Sequence, residues 1–263
     1  MTITFLSDYG LRDEFVGVCH GVMRGIAPDV PIVDITHGVP RHGVREGALT
    51  LRNALPYMPA GVHLAVVDPQ VGTERRALAV RCAEEGRILV GPDNGLLSLA
   101  WERFGGAVEA VDVSRSPHRM EPLSATFHGR DVFAPVAAAL AGGAPVGDAG
   151  DPVDPGELAV LQLPEPRREG DALIAHALAV DGYGNVTLNV GHPDAIAAGI
   201  RLGDAVDVNG RAALVVSTFA DVPADELLLY EDAWRRLALA VNRGDAAALL
   251  GLGPDDEVRV APR

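Results

Sequence analysis

The sequence predicts an α/β protein in two parts: a larger N-terminal α/β domain with a mostly parallel sheet, and a smaller C-terminal β-barrel domain. Over roughly the first 140 residues, short β-rich runs alternate with stretches that carry apolar residues every three or four positions. This alternation is typical of a sheet covered by helices. Beyond residue 170, short β-type runs separated by turn residues predominate, which favours a small sheet or barrel.

The N-terminal elements follow in chain order. Six runs are typical of strands: TITFL (2–6), PIVDIT (31–36), VHLAVVD (62–68), ALAVRC (77–82), RILVG (87–91) and AVEAVDV (107–113). Four amphipathic patterns predict helices over 13–26, 43–55, 94–104 and 130–142. In sheets of this kind ligands gather at the carboxyl ends of the strands, so functional residues are expected there.

The domain boundary is expected where glycine, proline and acidic residues replace the periodic patterns, between residues 142 and 171. The predicted organisation is an N-terminal α/β domain at 1–150, a linker at 151–170 and a C-terminal β-barrel domain at 171–263. Within the last of these, only 193–199 and 244–250 carry brief helical patterns.

Composition restricts the partners. The chain has 22 Lys and Arg against 36 Asp and Glu, a net charge of −14, which would repel nucleic acid and anionic lipid. No basic leader precedes an apolar stretch, and no apolar run approaches the roughly 18 residues of a membrane span. Cys19 and Cys82 lie far apart without a CxxC partner, as small buried hydrophobes do. We therefore expect a cytoplasmic protein that binds neither nucleic acid nor membrane.

The segment VVDPQVGTERRALAV (66–80) places Asp68 and Arg75 on the two sides of one turn. Pro69 and Gly72 favour that turn over an extended span. Such a turn could bring the carboxylate against the guanidinium, and a carboxylate beside a fixed cation stays ionised at neutral pH. The alternative is an ordinary surface ion pair, which contributes little.

Two further N-terminal stretches place polar residues at the ends of predicted elements. FLSDYG ends the first strand at Asp8, which could accept two hydrogen bonds from a vicinal diol such as ribose or could cap a loop. SATFHGRDVFAP puts His128 and Gly129 just before an apolar helix, where unpaired N–H groups gather. A capping or packing role is the alternative for His128.

The C-terminal part offers groups able to bind a heterocycle. AVDGYGNVTLNV supplies Asp181, Tyr183 and Asn185, a ring flanked by groups that can read a heterocycle edge, and STFADVPADELLLYED adds Phe219 as a second ring. Taken singly, each could instead belong to a hairpin turn or to the core.

Together these stretches resemble the S-adenosylmethionine hydroxide adenosyltransferase family, whose relatives include bacterial fluorinases and chlorinases. The motifs LSDYGLRDEFVGVCHGVM, DITHGVP, VVDPQVGTERR, GPDNGLL, ATFHGRDVFAPVAA, VDGYGNVTLN and LALAVNRGDAA occur in the family's order along almost the whole chain. The resemblance implies a homotrimer whose active sites lie where one subunit's N-terminal domain meets a neighbour's C-terminal domain. It also implies a small-molecule substrate, because the family reacts water or hydroxide with S-adenosylmethionine to give adenosine and methionine, without a metal or other cofactor.

The resemblance also implies roles for eight residues. Those matching the family's catalytic set are Asp68, Arg75 and His128, and Asp8 matches its acceptor for the ribose diol. The remaining substrate-binding positions are Asp181, Tyr183, Asn185 and Phe219, the last three lying where the family holds adenine. Two departures stand out: Gln70 replaces the glycine of the family's VDPGVGT, and Ala233–Trp234 replaces Ser-Gly or Ser-Arg near the methionine end.

The chemistry favours the same assignment. A sulfonium is already a good leaving group, so cleavage at the ribose carbon needs mainly a water molecule held in line with it. Arg75 would orient Asp68, since a guanidinium does not lose its proton. Asp68 would accept a hydrogen bond from the water, and His128 would orient the water or relay its proton. Which of the two takes the proton stays open.

Three other functions are compatible with parts of the sequence. A halide-using adenosyltransferase would share the scaffold, although an ionised Asp68 would repel chloride. A metal-dependent phosphoesterase could be built from Asp8, His37, Asp68, Asp93 and His128, but no ligand pair at helical spacing supports it. A non-enzymatic adenosyl-ligand sensor would not need Asp68, Arg75 and His128 to meet around a water.

Overall fold

The computed structural model describes residues 1–263 and divides into two compact units, Met1–Leu161 and Gln162–Arg263. The first unit contains β1 (Ile3–Ser7), α1 (Phe15–Ile26), β2 (Ile32–Thr36), α2 (Val44–Ala54), β3 (Val62–Val66), β4 (Ala77–Cys82), β5 (Ile88–Pro92), α3 (Ser98–Arg103), β6 (Ala107–Asp112), α4 (Ala134–Ala141) and β7 (Asp151–Val153). The second contains β8 (Arg167–Glu169), β9 (Ala172–Val180), β10 (Val186–Gly191), α5 (His192–Ala197), β11 (Ala205–Val208), β12 (Arg211–Val215), β13 (Leu227–Glu231), β14 (Arg236–Val241), α6 (Ala246–Leu250) and β15 (Glu257–Pro262). All the N-terminal strands and helices predicted above are confirmed.

The first unit is built on a seven-stranded sheet in the order β2-β1-β3-β5-β4-β6-β7. Strands β2, β1, β3 and β5 are parallel, whereas β4, β6 and β7 join by antiparallel pairings. The α/β class and the mostly parallel sheet are therefore confirmed: β6, which is antiparallel to β4, runs in the same direction as β5, and only β4 and β7 are reversed. The reversal of β4 has a local cause, because β4 returns directly into β5 through a tight turn with Glu85 and Gly86 at positive φ, and a turn that short can join only antiparallel strands.

The core of the first unit lies between the sheet and its helices. Strands β1 and β3 are buried along their whole length, as expected for parallel strands covered on both faces. Helix α4 is buried on nearly all sides and packs against α1. None of the helices is both long and apolar enough to cross a lipid bilayer.

Strands β1 and β3 carry two of the predicted site residues to one sheet edge. They are parallel neighbours, with Ser7 opposite Val66, so the residues that follow them leave the sheet at the same end. Asp8 comes directly after β1 and Asp68 two residues after β3. This carboxyl-terminal edge is where ligands bind in sheets of this kind.

The second unit is a closed seven-stranded barrel in the order β10-β14-β13-β12-β11-β15-β9, closed by pairing of β9 with β10. Its interior is filled by alternate residues along the strands, including Val186, Leu188 and Val190 of β10, as the two-residue period of a strand requires. The predicted barrel is confirmed. Within 151–170, expected as a linker, β7 pairs with β6 of the first unit and β8 with β9 of the second.

Candidate active site

The turn between Asp68 and Arg75 is tight and depends on one glycine. The Val71 N–H donates to the Asp68 carbonyl at 3.3 Å and the Thr73 N–H to the Gln70 carbonyl at 3.1 Å. Gly72 has φ +81°, and a Cβ there would lie 2.6 Å from the Ala125 carbonyl oxygen, so a larger residue would be strained. Gln70, by contrast, is exposed and has no positive φ. The turn therefore accommodates the side chain that replaces the family's glycine.

Arg75 holds the Asp68 carboxylate with both ends of its guanidinium. Its Nε donates to Oδ1 at 2.9 Å and to Oδ2 at 3.1 Å, and its Nη2 donates to Oδ2. The two side chains are only 5% and 6% exposed, and the guanidinium lies over the Phe133 ring, 5.2 Å from its centroid. The predicted contact is confirmed, and the pair is buried rather than the ordinary surface pair of the alternative. Removing either partner would leave an uncompensated buried charge.

His128 joins this pair through one ring nitrogen. Arg75 Nη2 lies 3.0 Å from His128 Nδ1. A guanidinium can only donate, so Nδ1 must accept, and the proton of the neutral ring then lies on Nε2. Burial, reinforced by the Arg75 charge, lowers the pKa of His128 below its ordinary value, although Asp68 and Asp131 act in the opposite direction. The neutral ring, with Nε2–H as a donor, is therefore the form present at neutral pH.

The local backbone explains why His128 is free to make this bond. It is the residue before a π-helical turn, Gly129–Phe133, which leads into α4, and such turns occur frequently at functional sites. The His128 side chain makes no capping hydrogen bond, so the capping alternative is not what the structure shows. Asp131 within the turn is buried and accepts hydrogen bonds from Arg130 and from the Ser124 N–H.

These groups border a cavity of about 200 Å³ in the first unit, to which Asp8, Asp68 and His128 contribute. Asp8 Oδ2 accepts a hydrogen bond from the His42 N–H at 3.0 Å. The apolar wall was not anticipated from the sequence; it consists of Tyr9, Phe15, Val66, Val71 and Phe127.

Three rings of this wall pack on one another. The centroid of Phe127 lies 5.9 Å from that of Tyr9 and 5.2 Å from that of Phe15, both edge to face. The Tyr9 hydroxyl occupies the space beside Gly129, where a Cβ would come within 2.0 Å of it. The sequence could have indicated two of these rings by their position, because Tyr9 directly follows Asp8 and Phe127 directly precedes His128.

The second unit holds a separate, larger cavity of about 920 Å³. All four C-terminal residues predicted to bind substrate border it: Asp181, Tyr183, Asn185 and Phe219. Sequence reasoning missed Tyr230, whose ring lies 5.1 Å from that of Phe219, and Asn242, which also borders the cavity.

Asp181 has a structural task within this cavity. Its carboxylate accepts the Tyr183 N–H at 2.8 Å, the Asn185 N–H at 3.0 Å and the Asn185 Nδ2–H at 2.8 Å. It therefore organises the hairpin turn between β9 and β10. Tyr183 stands on that turn with 81% of its surface exposed, so its ring is presented to solvent rather than packed in the core.

The structure thus brings the predicted residues together as two sets. Asp8, Asp68, Arg75 and His128 meet in the first unit, and the other four meet in the second. The set proposed for a metal-dependent phosphoesterase does not form, because Asp68 is paired with Arg75 and Asp93 with Arg76 at 2.7 Å. The one group of three potential metal ligands is a different one, His20, Asp34 and His37.

Comparison with known proteins identifies the family. Residues 3–150 match the family model described as the SAM hydroxide adenosyltransferase N-terminal domain, and residues 175–259 match the corresponding C-terminal domain. The chain belongs to the SAM hydroxide adenosyltransferase family.

Individual relatives match nearly the whole length of this chain. A protein of Salinispora tropica named (R)-S-adenosyl-L-methionine hydrolase is 48% identical, covering 98% of this chain and 97% of its own. A fluorinase of Actinoplanes sp. is 29% identical over 93% of this chain and 92% of its own. A crystal structure from Thermotoga maritima, described as an uncharacterized conserved protein, is 35% identical with a TM-score of 0.91, covering 99% of this chain and 100% of that one.

Proposed function

We propose that this protein hydrolyses S-adenosyl-L-methionine at the ribose 5′-carbon, releasing adenosine and L-methionine. The observation that carries the proposal is the contact of buried Arg75 with both Asp68 and His128, which border one cavity together with Asp8. The name of the Salinispora tropica relative, at 48% identity over nearly the full length, supports the same reaction.

Positioning of water accounts for most of the catalysis in this proposal. The sulfonium departs without help from an acid, so the protein has to hold a water molecule opposite sulfur. Such restriction can contribute roughly 7–11 kcal/mol, whereas a general base typically contributes about 10²- to 10⁴-fold. The aromatic wall of Tyr9, Phe15 and Phe127 would limit the directions from which water reaches the ribose carbon.

The hydrogen bonds around Arg75 favour a division of labour between the two groups that face the water. His128 Nδ1 already accepts from Arg75, so His128 contributes its Nε2–H, which donates to the oxygen of water or hydroxide. Asp68 has about four lone-pair sites and accepts two Arg75 N–H groups, that of Nε shared between both oxygens and that of Nη2 at Oδ2, so it can also accept a hydrogen of the water. Asp68 is therefore our candidate for the proton acceptor, and His128 for the group that orients the oxygen.

The remaining predicted residues would bind the adenosine half. Asp8 Oδ2 accepts one hydrogen bond from the His42 N–H, and a carboxylate has about four lone-pair sites, so Asp8 can also accept from the two hydroxyls of a ribose. Tyr183 and Phe219 offer exposed rings for stacking, and Asn185 offers an amide for the edge of the base. Asp181 would act through the turn that holds them.

We further propose a homotrimer in which the N-terminal domain of one subunit and the C-terminal domain of its neighbour form each active site. The proposal rests on the family resemblance, together with the division of the eight residues between two units. Light scattering tests it, and a monomer mass would refute it.

We place the protein in the reducing cytoplasm. Cys19 and Cys82 are free and buried, and burial raises the pKa of each thiol to about 12. Both therefore behave as small core side chains that need no oxidising compartment.

The fluorinase relative keeps a halide-using reaction as a second candidate. Asp68 argues against it, since a carboxylate facing the attack position repels a halide at short range in a poorly solvated cavity. Turnover in chloride-saturated buffer is therefore expected to give no chlorinated nucleoside, and a chlorinated product would reverse the choice.

An isotope experiment tests the reaction directly. The protein is incubated with S-adenosylmethionine in oxygen-18 water and the products are identified by mass spectrometry. We expect label in the 5′-hydroxyl of adenosine and none in methionine. Unlabelled adenosine, S-adenosylhomocysteine with methanol, or methylthioadenosine as the main product would each reject attack at the ribose carbon.

A further inference from the structure

His20, Asp34 and His37 bring three potential metal ligands together in the first unit. His20 lies on α1, Asp34 on the edge strand β2, and His37 just after that strand. Asp34 Oδ1 is 2.9 Å from His20 Nε2 and 3.2 Å from His37 Nε2, and all the ligand atoms lie within 4.8 Å of one another. None of the three borders the Asp68 cavity.

His37 is the unusual member, because its Nε2 is buried without a hydrogen-bond partner. The side chain is only 2% exposed, and its ring packs edge to face on Phe5 with centroids 4.6 Å apart. A buried polar nitrogen left unpaired costs the free energy of its lost hydration. Although Nε2 faces Asp34 Oδ1 at 3.2 Å, this contact does not meet hydrogen-bond geometry. The lone pair of Nε2 is therefore available to an electron-pair acceptor such as a metal ion.

The other nitrogen of His37 is held as in a metal-binding histidine. Nδ1 lies 2.7 Å from Ser7 Oγ, and Ser7 Oγ also accepts from the Tyr9 N–H at 3.3 Å. A hydroxyl has two acceptor lone pairs, so it can take both donors, with the ring proton on Nδ1. That tautomer directs the lone pair of Nε2 toward Asp34 and His20. Histidines that ligate metals use their second ring N–H in this way.

We propose that His20 Nε2, Asp34 Oδ1 and His37 Nε2 bind a divalent transition-metal ion of the zinc class, with water as the fourth ligand. A tetrahedral ion with bonds of 2.0–2.1 Å separates its ligand atoms by about 3.3 Å, close to the 2.9 and 3.2 Å found here. His20 and Asp34 are partly exposed, which leaves the fourth position to solvent. Two imidazoles select such an ion over magnesium or calcium, which prefer oxygen ligands.

The ion has a structural task, distinct from the hydrolysis. It ties α1 and the edge strand β2 to the end of β1, because His37 is hydrogen-bonded through Ser7 to that strand and through its carbonyl to the Gly10 N–H at 2.7 Å. The loop between these two contacts carries Asp8. Metal binding is therefore expected to raise the melting temperature, while the sulfonium reaction itself requires no ion.

The test uses full-length, tag-free protein that has been treated with a chelator and desalted. Cobalt(II) is titrated in and its visible absorption is followed; zinc is then added as a competitor, and magnesium in a separate titration. We expect one cobalt ion per chain with a tetrahedral spectrum, displacement by zinc, no competition by magnesium, and a higher melting temperature with zinc. Failure to bind one cobalt or zinc ion per chain would overturn the proposal.

Three variants show whether these residues hold the ion. His20→Gln removes a partly exposed ligand and is expected to weaken binding by at least about 100-fold, and Ser7→Ala, which removes the partner of Nδ1, by about 10- to 100-fold. The matched control is His192→Gln, since His192 Nδ1 also contacts a carboxylate, that of Glu231, but without a third ligand. It should bind cobalt like the wild type. Equal affinity of His20→Gln and wild type, or loss of the ion in His192→Gln, would refute the assignment, with circular dichroism verifying that each variant is folded.

Discussion

In the cavity of the first unit, the bordering Asp68 is held by a buried arginine, whereas the cavity of the second unit is bordered by two exposed aromatic rings. Asp68 and Arg75 are 5–6% exposed and share three N–H···O contacts. Tyr183 is 81% exposed and Phe219 41%. Oriented, buried charges suit the stabilisation of a reacting centre, and exposed rings suit the capture of a flat ligand.

The carboxylates of the two units also differ in what they contact. In the second unit they hold turns: Asp181 accepts N–H groups in the β9–β10 hairpin, Asp232 accepts the Trp234 and Arg236 N–H groups, and Asp245 accepts the Ala248 N–H. In the first unit, Asp8 and Asp68 follow the ends of parallel strands and face a cavity. The same side chain thus organises a binding surface in one unit and, in our proposal, contacts the substrate and its water in the other.

The largest expected effect is a loss of kcat caused by a substitution in the first cavity. Asp68→Asn removes the proposed proton acceptor, and we expect kcat to fall by about 10²- to 10⁴-fold with little change in KM. The matched control is Asp93→Asn, because Asp93 also pairs with an arginine, Arg76, at 2.7 Å but does not border the cavity. Steady-state kinetics on both variants decides the matter: equal kcat values would mean that Asp68 has no special role.

A second substitution tests the effect of the Arg75 charge on His128 through the pH dependence of kcat. Arg75 lowers the pKa of His128, so in Arg75→Ala that pKa rises and the neutral ring is reached only at higher pH. The acidic limb of the kcat profile should therefore move to higher pH, together with a loss of activity from the released Asp68. Arg76→Ala is the control and should keep the wild-type profile. An unmoved acidic limb in Arg75→Ala would contradict the proposed role of His128.

In the second cavity the expected change is in KM rather than kcat. Stacking of a base on an aromatic ring contributes about 1–3 kcal/mol, so Tyr183→Ala and Phe219→Ala should each raise KM by about 5- to 150-fold while kcat stays near that of the wild type. Tyr57→Ala, which removes an exposed tyrosine that borders neither cavity, should change neither. A fall in kcat at constant KM in these variants would contradict the assignment of substrate binding to the second cavity and catalysis to the first.

Local signals explain which parts of the site were predictable. Pro69 and Gly72 indicated the turn that brings Asp68 to Arg75, since turn chemistry acts over a few residues. The bond from Arg75 to His128 spans 53 positions, and without the family resemblance nothing near His128 indicated it. Phe15 and Phe127 were missed because their packing depends on the tertiary fold.

The fold shows the same limit. The β-rich runs predicted the six N-terminal strands. They did not predict the direction of β4, because the turn at Glu85 and Gly86 gives no strong hairpin signal such as Asn-Gly. The closing pair of the barrel, β9 with β10, follows a short hairpin, yet a linear sequence does not show that β10 also pairs with β14. Strand existence is local, whereas strand neighbours are set by the whole sheet.

The smallest expected effect concerns a histidine that belongs to neither cavity. His63 is fully buried, with Nδ1 2.8 Å from Thr4 Oγ1 and Nε2 3.1 Å from Arg87 Nη1. Because a guanidinium only donates, Nε2 accepts and Nδ1–H donates to Thr4. Burial, together with the Arg87 charge, lowers the pKa of His63 to about 3.

The sign of the resulting pH dependence follows from proton binding. Between pH 6.5 and about 3 the unfolded chain protonates this histidine and the folded chain does not, so acidification favours unfolding. At pH 5 the loss is about 2 kcal/mol relative to neutral pH. Urea unfolding at several pH values, in wild type and His63→Gln, measures it through the slope of the free energy of unfolding against pH, which is insensitive to any constant cost of the substitution. We expect the slope between pH 5 and 6.5 to be shallower in the variant, by an amount that corresponds to about one proton fewer taken up on unfolding. Equal slopes would mean that folded His63 does become protonated, and that the buried contacts to Thr4 and Arg87 rearrange to allow it.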